Sequence, residues 1–143
     1  MRKFSAYYIF PVFTDPLPFG IIEMEDDGII IGLTDTGGFI KESSKLEFYR
    51  GILIPGIVFE AFDNIHPENV CEQMFSLQSG NPDKKLNDLI KGFTLEAAIK
   101  ISKENQLGSL ETGKKPGIHM IDAIDLEKMK ITRKSRLRIL IST

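Results

Sequence analysis

The sequence predicts an α+β fold in which strands from the two ends of the chain share one sheet system, bridged by two or three helices. Three observations carry that expectation. Apolar residues fall in strand-like runs through the first third, the first of them alternating at period two, recur at helical spacing in the middle, and return to strand-like runs near the end. Each β segment is too small to bury a face alone, so the two must complete one another across the helices. At 143 residues the chain reads as one domain, 1–143, with strands over about 3–55, a helical bridge over about 66–106 and strands over about 117–142. A chain of this length buries roughly two-thirds of the surface its unfolded form exposes, enough for a core.

The elements follow in order. Phe4, Ala6, Tyr8 and Phe10 alternate with other residues, and Pro11 ends the run. Asp15-Pro16-Leu17-Pro18 makes a stiff connection. Gly20–Met24 and Ile29–Leu33 form a hairpin around Glu25-Asp26-Asp27-Gly28, where glycine tolerates the positive φ of a tight turn. Asp35–Gly38 is loop. Leu46–Tyr49 and Ile52–Ile54 read as two short strands around Gly51, stopped by Pro55-Gly56. Pro67 suits a first helical position, because its missing N–H costs nothing there, and Val70, Met74 and Leu77 follow at helical spacing. Asp83 is placed to cap a second helix whose stripe is Leu86, Leu89, Ile90 and Phe93. Thr94 is placed to cap a third, with Leu95, Ala98, Ile99 and Ser102 on one face and Glu96 near the positive end of the dipole. Gly117–Asp122 and Leu137–Ile141 read as strands, joined by a polar, irregular stretch over Asp125–Thr132.

Composition removes several function classes. The net charge of −2 points to no partner. Lys128, Lys130, Arg133, Lys134, Arg136 and Arg138 crowd the C-terminal segment without interleaved aromatics for base stacking, so they read as a solvated face and no nucleic acid is expected. Cys71 is the single cysteine, which excludes an intrachain disulfide and suits a reducing compartment. Met1-Arg2-Lys3 leads straight into an alternating run unlike a leader peptide, and no apolar stretch approaches the about 18 residues of a spanning helix. A cytoplasmic protein with no membrane partner is expected.

Candidate chemistry is sparse. Gly108-Ser109-Leu110-Glu111-Thr112-Gly113-Lys114-Lys115 nearly spells a phosphate-binding loop. It lacks the final Ser or Thr for magnesium, and Pro116-Gly117 leads into a strand where a helix is needed. Glu60, Asp63, His66 and Glu68 lie close in sequence, with His119 and Asp122 farther on; Asp63, His66 and His119 are the weak metal candidates. A catalytic zinc commonly takes three protein ligands, often histidines, and only two histidines exist here. His66 reads as a residue at a helix start and His119 as sheet packing. Cys71 falls on an amphipathic helix, where lone cysteines are mostly buried and inert, and no Gly-x-Ser-x-Gly elbow occurs. Glu25, Asp26 and Asp27 read as turn chemistry. No catalytic residue, cofactor or metal is assigned.

Two longer blocks carry a resemblance. The first is Tyr49-Arg50-Gly51-Ile52-Leu53-Ile54-Pro55-Gly56-Ile57-Val58. The second is Phe93-Thr94-Leu95-Glu96-Ala97-Ala98, continuing through Leu107-Gly108-Ser109-Leu110-Glu111-Thr112-Gly113-Lys114-Lys115-Pro116-Gly117. The first resembles the passage from the N-terminal β-domain into barrel strand one in the amidohydrolase superfamily, chlorohydrolase and nucleobase-deaminase branch. The second resembles that family's last barrel helix and the return into its β-domain. The Ala6-x-Tyr8-Ile9 strand and the hairpin over 21–32 are similar to the family's opening. The resemblance implies a small composite β-sandwich of the urease-like kind, with the metal-binding barrel deleted between the blocks.

It also implies what chemistry is lost. The family's His-x-His pair falls on Ala61 and Asp63, and alanine ligates nothing. Without a bound metal no water is activated at neutral pH by the family mechanism. The implied protein is an inactive relative, a pseudoenzyme that binds or builds, with self-association or a protein partner on the face that once met the barrel. The competing expectations are a metal-dependent hydrolase acting on C–N bonds, its site completed by another subunit, and a small-ligand binder.

Overall fold

The computed structural model describes residues 1–40 and 44–143. Its strands are β1 (Arg2–Ile9), β2 (Leu17–Pro18), β3 (Ile21–Met24), β4 (Ile30–Thr34), β5 (Leu46–Pro55), β6 (Ile118–Ile121) and β7 (Leu137–Ile141). Between β5 and β6 come a 3-10 turn, Phe59–Ala61, and the helices α1 (Val70–Gly80), α2 (Leu86–Phe93) and α3 (Leu95–Lys100). The order strands, helices, strands is the expected one.

All seven strands hydrogen-bond into one mixed sheet, in the order β4-β3-β1-β5-β6-β7, with β2 paired to the end of β1. The ends of the chain therefore share a sheet, as expected of two β segments each too small to bury a face alone. Separate facing sheets are not what the pairing describes, and the reason lies in β5. Gly51 does not divide it: the strand runs from Leu46 through Pro55, parallel to β1 in its first part and antiparallel to β6 in its last. A Cβ at Gly51 would lie 2.6 Å from the Ile121 carbonyl oxygen, so the glycine admits β6 rather than breaking β5.

The sheet curls over one of its faces. Phe4, Ala6, Ile22, Met24, Ile30, Leu53, Ile118 and Met120 form one buried cluster, and Leu110 closes it. Leu33 from one edge strand and Leu140 from the other pack on that same cluster. A flat six-strand path would hold those edges about 24 Å apart, at about 4.8 Å per strand. Curvature brings them within reach, and it is fixed by hydrogen bonds: Ile30 N–H to the Lys114 carbonyl at 2.9 Å and Gly113 N–H to the Ile30 carbonyl at 2.8 Å.

The opposite face is covered by helices. Phe10, Ile52, Ile54 and Ile121 pack against Val70 and Met74 of α1 and the predicted α2 stripe of Leu86, Leu89, Ile90 and Phe93. Fully burying one such side chain stabilises by about 1.5–3 kcal/mol, so this stripe is what holds α2 in place. Ala97 and Ala98 of α3 pack on Val58 and Ala61.

Helix starts differ from expectation. Pro67 lies in a turn before α1, where the Asn69 side-chain oxygen accepts the His66 N–H at 2.8 Å, and the helix begins at Val70. Asp83 does not cap α2, which starts after Lys85 with no side-chain cap. Thr94 stands at the α3 N-cap, but its buried hydroxyl donates back to the Ile90 carbonyl at 2.9 Å, the acceptor that α2 leaves beside it. The stiff Asp15–Pro18 connection ends in β2, and the stretch after β6 carries a tight Asp125–Lys130 bridge. No described helix is long and apolar enough to cross a membrane.

Candidate functional site

His119 lies on β6 opposite Ile54 of β5 and is 5% exposed. Its Nδ1 accepts the Ile57 backbone N–H at 3.1 Å, and the Phe59 ring stacks on the imidazole with centroids 6.0 Å apart. Gly56 makes the approach feasible, since a Cβ there would meet the Pro116 carbonyl oxygen at 2.5 Å. Burial pushes the imidazole down to about 4. The neutral ring, with its proton on Nε2, is a fixed acceptor that pins the turn following β5.

Asp63 and His66 are placed elsewhere. Both are exposed in the turn before α1, and among the described residues no hydrogen bond joins either side chain to His119. Glu60 pairs with Lys103 at 3.1 Å, Glu68 is exposed, and Asp122 accepts the Arg136 N–H at 3.0 Å. Among the described residues no three His, Cys, Asp or Glu converge in an arrangement suited to a metal ion. Ala61, where the family's first histidine would fall, is a buried methyl against α3.

The near-phosphate loop has an internal use for its side chains. Lys114 Nζ reaches Ser109 Oγ at 2.8 Å and Glu111 at 2.6 Å, and the Ser109 hydroxyl donates to Glu111 at 2.6 Å. Lys114, then Ser109, hold the Glu111 carboxyl below its ordinary range. Gly108 sits at φ +93°, and a Cβ there would meet the Leu95 Cα at 2.6 Å. Lys114 is thus a turn residue that braces the curl of the sheet.

A cleft of about 520 Å³ opens between α1 and the segment 132–137. Glu68 and Glu72 stand on the helix side, Arg133 and Arg136 on the other, and Cys71, Phe75 and Leu137 also line it. Burial pushes the Cys71 thiol up to about 11, with Asp122 adding to the rise and Arg136 opposing it. No local pattern announces this cleft, because its walls lie some sixty residues apart in the chain. Buried Gln78 joins the same two segments: its amide donates to the Ile131 carbonyl and accepts the Ile131 N–H, both at 2.9 Å. Nor are the C-terminal cations without aromatic neighbours. Arg133 lies 5.1 Å from the Phe75 ring centre and Arg138 5.9 Å from that of Tyr49, rings that come from distant segments.

No family model matches this sequence, and no curated protein matches it. Among solved structures, the chain is similar to the crystal structure of A. niger ochratoxinase, an amidohydrolase-family enzyme, with 17% identity and a TM-score of 0.30. The superposition covers 48% of this chain and 17% of that one. A likeness so slight transfers neither fold nor chemistry, and the family resemblance rests on the residues of the two sequence blocks.

Proposed function

We propose that this chain is a cytoplasmic, amidohydrolase-like module related to the composite β-domain of that family, without its hydrolytic chemistry, that acts by self-association. The observation that carries the reading is the fate of the candidate ligand positions. Ala61 packs a helix, His119 holds a backbone amide, and Asp63 and His66 face solvent. Each of these positions has a packing or solvent role, and none converges with the others.

An association surface is supported by aromatic residues outside the core clusters. Tyr7, Phe19 and Phe48 pack ring to ring, with centroids 5.8 to 6.5 Å apart, and Phe48 remains 40% exposed. Phe39 and Ile40 are still more exposed, in a segment tied to Phe19 through the Thr36 hydroxyl, which donates to the Phe19 carbonyl at 3.1 Å. Exposed apolar side chains gathered in this way favour an interaction site.

Two measurements test the reading. Light scattering on the purified chain is expected to find a dimer or larger species that Phe48→Glu dissociates; a monomer at every concentration refutes self-association. Metal analysis is expected to find no stoichiometric metal. One zinc or iron per chain, lost in Asp63→Ala or His66→Ala, would favour instead the hydrolase completed by another subunit.

A further inference from the structure

We propose that the cleft between α1 and the 132–137 segment binds a small zwitterion, a short peptide with apolar side chains. Its volume, about 520 Å³, lies in the range of about 300–1,000 Å³ typical of small-molecule sites. The charges on its walls are divided by sign. Glu68 and Glu72 lie on the α1 wall, Arg133 and Arg136 on the facing one. Among the described residues none of these four side chains forms an ion pair.

The guanidiniums are nonetheless held in place. Arg133 lies over the Phe75 ring, and Arg136 Nη1 donates to the carbonyls of Arg133 at 3.1 Å and Ser135 at 2.9 Å. A guanidinium has five N–H donors, so both retain several for a carboxylate, and their fixed positions lower the entropy lost on binding one. Leu137, and the part of Phe75 that Arg133 leaves uncovered, offer apolar surface to a side chain.

The two walls select the ligand class together. A simple anion would also face two carboxylates, and a simple cation two guanidiniums. A molecule with an ammonium at one end and a carboxylate at the other satisfies both walls. The assignment does not depend on self-association or on the family reading.

The test is a titration of the full ¹⁵N-labelled chain with leucyl-leucine, alongside N-acetyl-leucyl-leucine, which lacks the ammonium, and leucyl-leucinamide, which lacks the carboxylate. Leucyl-leucine is expected to shift amides of residues 68–75 and 132–137. Each blocked form is expected to bind about tenfold or more weakly, the loss of one charge-assisted contact. Arg133→Gln with Arg136→Gln should bring leucyl-leucine down to the affinity of its amide. Absence of shifts at millimolar peptide overturns the proposal, as do shifts confined to other residues. Equal binding of either blocked form also overturns it, since that result describes a single-charge site. If the double variant does not fold, the three peptides on the unmodified chain still decide.

Discussion

The Nδ1 of His119 accepts the Ile57 backbone N–H across 62 positions of sequence, inside a contact that excludes water. Burial lowers the folded imidazole to about 4 from an ordinary 6.5. Between those values the unfolded chain binds more protons than the folded one, so stability rises with pH through that window. The contribution is complete above 6.5 and is lost as pH falls toward 4. Its size is about 3 kcal/mol, from about 1.4 kcal/mol per pH unit. Chemical denaturation at several pH values checks this against His119→Asn, which keeps an acceptor without the titration. The variant is expected to lose less stability between pH 6.5 and 4 than the parent. Equal slopes would refute the assignment.

Gly51 and Gly92 should respond to alanine in opposite directions. At Gly51 the new Cβ would meet the Ile121 carbonyl, so the β5–β6 pairing must move, at a cost of about 1–3 kcal/mol. At Gly92, inside α2, a Cβ meets nothing within 4 Å, and alanine should stabilise by about 0.5–1 kcal/mol through helix propensity. Urea unfolding of the two variants reads both signs.

Gln78→Ala should loosen the segment after β6. Both hydrogen bonds to Ile131 would go, leaving that residue's N–H and carbonyl unpaired beside α1, and the cost is about 1–3 kcal/mol for each buried group stranded. Amide exchange at Ile131 should accelerate well beyond the change in global stability. Unchanged protection there would show that other contacts hold the segment.

Cys71 should be silent in the folded protein. A buried thiol pushed up to about 11 is almost wholly protonated at neutral pH, and the thiolate is the reacting form. Ellman's reagent should label it slowly in buffer and fully in denaturant. Rapid native labelling would mean that α1 opens away from the cleft.

The sequence by itself determined the class of each segment and most of the core. Period-two alternation marked β1, apolar runs bounded by turn residues marked β3, β4, β6 and β7, and the Leu86, Leu89, Ile90, Phe93 stripe marked α2. It also assigned His119 to sheet packing. Tertiary structure decided what depends on partners distant in the chain. Gly51 reads as a break in isolation, and only the approach of Ile121 shows it as the place where one strand passes between two neighbours. The Gly108–Lys115 loop already fails as a phosphate site in the sequence, but only the structure shows that Lys114 is engaged by Ser109 and Glu111. Thr94 and Asp83 read as caps, yet a hydroxyl in the interior takes the nearest acceptor and a side chain in solvent need take none. The cleft, with acid on one wall and base on the other, exists only because Gln78 and Ile131 bring its two segments together. Local periodicity records which face of an element is buried, whereas the identity of the opposing surface is set by long-range packing.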